Sequence, residues 1–169
     1  MQTLADPDLI APGGRLEDWH SVFGFEADFA ADLRCIPMVV RFKLDRVGVK
    51  LSLKQWSRIG VANRQILAAL RCDTLRELSD YHRLLVQLVA QHAAEPVIEL
   101  ALDPTPSWAD VRATPVPVVL HAAQKNVPAP TQPQWSRLST LQRFALVKLT
   151  RSNHDNENFV PAMREFNLL

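Results

Sequence analysis

Two stretches of the chain repeat each other. Trp56–Leu70 reads WSRIGVANRQILAAL and Trp135–Leu149 reads WSRLSTLQRFALVKL, with six of fifteen residues identical and no gap: Trp, Ser, Arg, Arg, Leu and Leu. The residue three after each tryptophan is aliphatic in both, Ile59 and Leu138. The physical content is a short turn anchored by an indole, followed by an amphipathic helix with inward leucines, present twice. A helical unit of this size cannot bury its apolar face alone, and repeated units solve the problem by packing with neighbours. The repeat therefore predicts a mainly α protein, a single helical domain with a duplicated helix-pair unit, in which Trp56 and Trp135 are core anchors. Trp108-Ala-Asp-Val111 is a weaker third likeness.

Just before the first copy lies RCIPMVVRFKLDRVGVKLSLKQWSR, residues 34–58, which carries seven of the nineteen basic residues. Two backbone readings compete there. Val40, Phe42, Leu44, Val47, Val49, Leu51 and Leu53 largely alternate with polar residues, the period of a half-buried strand, so a short β-hairpin at 39–53 is the alternative. Its loop lacks the Asn-Gly or Asp-Gly pair that tight hairpins favour. The helical reading uses Ile36, Val40, Leu44 and Val47 as one face, with Pro37 at the first helical position and Gly48 as a left-handed C-cap. Ser52-Leu-Lys-Gln55 then opens a second helix as a capping box. Caps and period agree, and the helix is favoured.

In the rest of the chain, residues 1–22 hold Pro7, Pro12 and Gly13-Gly14 with little periodicity and read as a mobile tail ahead of a helical domain at 23–169. FEADFAADL reads as a short helix. Thr74-Leu-Arg-Glu77 is a capping box opening the longest helix, about 75–93, with Leu78, Tyr81, Leu85 and Leu88 on its face. Eight of the twelve prolines fall between Pro96 and Pro133. That stretch, about 96–134, reads as a Pro-rich connector: PVIELALDPTP extended over the surface, a helix at Val116–Gln124, then the stiff KNVPAPTQPQ. Ser139-Thr-Leu-Gln142 caps the second repeat helix, and a last helix spans about 159–166.

Charge and chemistry narrow the function. Net charge is +1, so the chain as a whole has no polyanion-binding character. Residues 1–33 carry seven acids and one base, and residues 34–58 the reverse, seven bases and one acid. The two segments either neutralise each other or make an electrostatic partner face. Arg41, Lys43, Lys50, Lys54 and Arg58 are the candidates for that face. A phosphate-contacting surface would add Arg46, but the apolar residues between these cations need burial and no recognition helix is evident, which argues against nucleic acid. Cys35 and Cys72 lie far apart and five histidines are scattered singly, so no metal site is predicted. Cys35, beside Arg34, is the candidate reactive thiol. Glycine-rich phosphate loops and nucleophile elbows are absent. His154-Asp155 is an acid–base pair only in outline, in what reads as a polar turn. No apolar run approaches the ~20 residues of a membrane span, and the two cysteines without an export signal suggest a cytoplasmic protein.

Two blocks, LRCIPMVVRFKLDRVGVKLSLKQWSR at 33–58 and LQRFALVKLTRSNHDNENFVPAMREF at 141–166, resemble the nitrate reductase-associated protein family. FGFEADFAADL before the first block fits the same pattern. The resemblance implies a cytoplasmic accessory protein of nitrate assimilation, an interaction protein and not an enzyme. It would act by binding a molybdenum-dependent nitrate reductase, with no cofactor of its own and the molybdopterin cofactor met only in transit. The family offers no catalytic or ligand residues to carry over. The alternatives are a small enzyme or carrier of molybdenum-cofactor biosynthesis or insertion, using Cys35 or His154-Asp155, and third a nucleic-acid-binding regulator.

Overall fold

Helix α1, Met38–Val47, forms where the caps and the four-residue period agree. Pro37 stands as its N-cap in extended conformation and offers no side-chain bond. The buried Glu26 supplies the missing acceptor, its Oε1 receiving the Met38 N–H at 2.8 Å. At the other end Gly48 turns left-handed, φ 68°, and its N–H returns to the Leu44 carbonyl. A Cβ at Gly48 would lie 2.6 Å from the Leu100 carbonyl oxygen, so glycine is required by conformation and by space. The alternative hairpin at 39–53 is not formed. Val40, Phe42 and Leu44 are buried on the helix, and only β1, Val49–Lys50, is extended. Its antiparallel partner is β2, Ile98–Glu99, in the register Val49↔Glu99 and Lys50↔Ile98.

In this computed structural model residues 6–10, 22–151 and 155–169 are described. The fold is mainly helical. Two compact units are resolved. The first comprises residues 1–22 and 26–103. Besides α1, β1 and β2 it holds α2 (Leu53–Arg58), α3 (Val61–Ala69) and α4 (Leu75–His92). Full capping boxes, Ser52 with Gln55 and Thr74 with Glu77, open α2 and α4. Helix α4 buries Tyr81, Leu85, Leu88 and Val89 and packs on α1, α2 and α3. Of the expected tail, residues 6–10 run beside the start of α4. The Leu75 N–H donates to the Leu9 carbonyl at 3.0 Å and the Arg76 N–H to the Pro7 carbonyl at 2.8 Å, satisfying two amides that a helix start leaves without intrahelical partners. The rest of that stretch lies outside the described residues.

The second unit comprises residues 23–25 and 104–169. Its helices are α5 (Val116–Gln124), α6 (Gln132–Arg137), α7 (Thr140–Leu149) and α8 (Phe159–Glu165). The sequence KNVPAPTQPQ is a connector only in its first part: Thr131 and Gln134 form a capping box, and α6 starts with Pro133 in its first turn, where a missing N–H costs no bond. The Glu165 carboxylate accepts the Gly24 and Phe25 N–H groups at 2.7 and 3.0 Å, and Phe23 packs against Phe166.

The duplication extends from sequence to hydrogen bonds. Helices α2 and α6 keep the same offset as the two tryptophans, and so do the boxes that cap them. Both indoles are fully buried, and each donates Nε1–H to a backbone carbonyl, Trp56 to Leu33 at 2.6 Å and Trp135 to Asp110 at 2.8 Å. Each repeat arginine then closes its turn. Arg64 donates to the Trp56, Ser57 and Asp32 carbonyls, and Arg143 to those of Trp108 and Leu138. The repeated Trp-Ser-Arg…Arg signature is thus a framework that ties a turn to the helix after it.

Candidate functional site

The basic stretch divides once it folds. Lys50, Lys54 and Arg58 are exposed, with Lys54 3.8 Å from Glu95. Arg41 is half-buried and its Nε donates to the Ile36 carbonyl at 3.0 Å. Lys43 does not belong to the expected face: it is 0% exposed. Its ammonium donates to the Leu67 and Ala68 carbonyls at 3.1 and 2.6 Å, which lie in the last turn of α3. A cation there meets carbonyls without helical partners and the negative end of the helix dipole. Arg46 is buried as well, so a continuous six-cation phosphate surface is not presented. Arg34 turns its guanidinium to Asp28 and Asp32, so the acidic leader and the basic stretch neutralise each other there in part. Cys35, half-buried, and Cys72, buried, are both free thiols.

Around Lys43 the first unit collects titratable groups. Burial pulls the Lys43 ammonium down to about 8 and pushes the Cys72 thiol up to about 12. Tyr81, against whose ring Lys43 Nζ sits at 5.8 Å, is held neutral by burial, its pKa well above the ordinary value. Its hydroxyl has no hydrogen-bond partner among the described residues. Asp73, buried, accepts from Arg71 at 2.6 Å. An open hollow of about 420 Å³ beside this group is lined by Leu70, Arg71, Glu77, Asp80, Tyr81 and Leu84. A neutral thiol and a lysine whose protons point at backbone carbonyls make a capping and packing set, not a nucleophile with its base. Among the described residues no three His, Cys, Asp or Glu side chains converge as metal ligands. His154 and the side chain of Asp155 lie outside the described residues.

The feature sequence reasoning missed is the β1–β2 ribbon. Directly paired residues put their side chains on the same face, so Lys50 and Ile98 share one face and Val49 and Glu99 the other. Val49 is buried, and Glu99 reaches His82 of α4 at 2.9 Å, which fixes that face as the inner one. The outer face carries Lys50 and Ile98, and the chain beyond leaves Leu100 and Leu102 exposed too, at 56, 50 and 61% for Ile98, Leu100 and Leu102. The alternation in Ile-Glu-Leu-Ala-Leu was the available signal. The pairing itself was not visible, because β1 and β2 are far apart in sequence. Leu53 is exposed as well, and so are the cations Lys50, Lys54 and Arg58, so the first unit carries exposed aliphatics and exposed positive charge.

A protein-family model described as conserved nitrate reductase-associated protein matches residues 22–166. No curated protein and no solved structure matches the chain.

Proposed function

The chain belongs to the nitrate reductase-associated protein family, and from that premise we propose that it is an accessory protein that binds assimilatory, molybdenum-dependent nitrate reductase. The family match across nearly all of the described residues carries this reading. The enclosed Lys43–Cys72–Tyr81 group is occupied with capping and packing, and the exposed aliphatics and cations of the first unit support an interaction role. Apolar residues supply affinity once desolvated, and the cations Lys50, Lys54 and Arg58 supply steering and register. Among the described residues no helix is long and apolar enough to cross a membrane. The molybdopterin cofactor does not fit the hollow beside Tyr81, where Glu77 and Asp80 outnumber Arg71 and would repel a pterin phosphate.

Co-purification tests the proposal. Affinity-tagged chain is expected to retain nitrate reductase from a nitrate-grown extract, and the variant Lys50→Glu/Lys54→Glu/Arg58→Glu to lose it. Retention unaffected by the charge reversal, with nitrate reductase activity intact, would remove the basic surface from the account.

A further inference from the structure

The ribbon of the first unit has an open edge, and its chemistry specifies what would close it. The Leu100 N–H donates to the Gly48 carbonyl at 2.7 Å, which extends the β1–β2 ladder by one pair. In an antiparallel ladder, residues alternate between those that bond across it and those that point away. Ile98 and Leu100 therefore face β1, while the main-chain groups of Glu99 and the N–H of Ala101 point out from the far edge. Among the described residues neither Glu99 nor Ala101 makes a backbone bond there. Edge strands are ordinarily protected by proline, a bulge or a cover. Here Pro96 and Pro104 bracket the segment, and between them no described residue pairs with the edge.

Side chains add a second constraint. One face of the segment is aliphatic, with Ile98, Leu100 and Leu102 all half or more exposed. The chain around it, Glu95 to Asp103, holds three acids and no base. A second copy pairing antiparallel with Glu99 opposite Glu99 would set acid against acid, and with Glu99 opposite Ala101 it would still bring three acids from each copy onto one short ribbon. Cross-strand pairs favour aliphatic opposite aliphatic and base opposite acid. We propose that the outer edge of β2 is a strand-addition site for an extended partner segment alternating aliphatic and basic residues, which joins the ribbon as its third strand. This rests on the accessory-protein reading for the identity of the partner, and names the way nitrate reductase is held.

Two arms test it on the full chain. In the first, the probe is a short peptide of alternating valine and lysine, with a valine–glutamate peptide as control. The valine–lysine peptide is expected to slow amide exchange at Glu99 and Ala101 by about tenfold or more, at a peptide concentration where the control does nothing. Ala101→Pro removes the outward N–H without touching the β1 ladder and is expected to weaken binding by about tenfold. Glu99→Lys, which gives up the His82 contact at a side chain that is more than half exposed and keeps the outward main-chain groups, is expected to shift preference toward the valine–glutamate peptide. Absence of protection, or equal binding by both variants, would overturn the site, and concentration-dependent protection without peptide would assign the edge to a second copy instead. In the second arm nitrate reductase replaces the peptide. Reductase that binds wild type and Ala101→Pro alike would refute strand addition and leave the accessory role standing. Reductase that fails to bind while the peptide still protects would refute the partner and leave the site.

Discussion

Lys43 and Cys72 are the residues whose behaviour the fold changes most. A lysine in VVRFKLD looks like a surface cation, and nothing near it in sequence announces its acceptors, the Leu67 and Ala68 carbonyls at the end of α3. Folding brings the two together, and its consequence is a pH dependence. Lys43 titrates near 8 when folded and near its ordinary 10.5 when unfolded. Between those values the unfolded chain binds the extra proton, so this residue's contribution to stability rises with pH, by on the order of 3 kcal/mol in full. Cys72 works the other way. Its thiol keeps its proton to about 12 when folded and loses it from about 9 when unfolded, so its contribution falls as pH climbs through that window. Denaturant titrations from pH 7 to 10 should therefore show a rise from about pH 8 that Lys43→Met abolishes, and a levelling-off above about pH 9 that Cys72→Ala abolishes, letting the rise continue. Identical pH profiles for wild type and both variants would contradict the burial. Tyr81 gives a second residue-scale check. Its buried hydroxyl meets no acceptor among the described residues, so Tyr81→Phe should be neutral or stabilising by up to about 1 kcal/mol in the same titrations. A loss of more than that would mean the hydroxyl is bonded.

At the scale of elements, local chemistry decided most of the outcome. Ser52 with Gln55, Thr74 with Glu77 and Ser139 with Gln142 were readable as capping boxes and are formed. Gly48 was readable as a C-cap and is one. Removing a box residue, as in Thr74→Ala or Ser139→Ala, should cost about 1 kcal/mol by thermal or denaturant unfolding. Gly48→Ala should cost more, because it adds strain at a positive φ to a collision with the Leu100 carbonyl. It should also speed exchange of the Leu100 amide by displacing β2. The Thr131–Gln134 box went unread because prolines on both sides suggest a polyproline connector, although Pro133 sits where a helix start tolerates it. The hairpin reading of 39–53 failed for a physical reason: alternating apolar residues also satisfy a helix face when caps bound the segment, and α1 buries Val40 and Leu44 more completely than a two-stranded hairpin can.

Across the whole molecule the repeat is the organising fact. Its identities mark a hydrogen-bonded frame in each unit, with Trp56 and Arg64 in one and Trp135 and Arg143 in the other. Arg64→Ala and Arg143→Ala each strip a buried turn of its donor to several carbonyls and should each cost on the order of 2–3 kcal/mol. Equal and independent losses in the two variants would fit one frame used twice. The repeat was legible because tryptophan is rare and the spacing has no gap. The exposed surface of the first unit was legible only in part. Lys50, Lys54 and Arg58 are exposed, whereas Lys43 is withdrawn into the interior and the exposed Ile98, Leu100 and Leu102 come from a stretch that sequence alone could call no more than extended. The proposed role asks these features to present a surface to nitrate reductase. Calorimetric titration of purified nitrate reductase with the full chain, across a salt series and with Lys50→Glu/Arg58→Glu alongside, tests this most directly. Saturable binding that weakens with salt and falls about tenfold in the variant is the result expected, and reductase that takes up no chain at any salt concentration would contradict it.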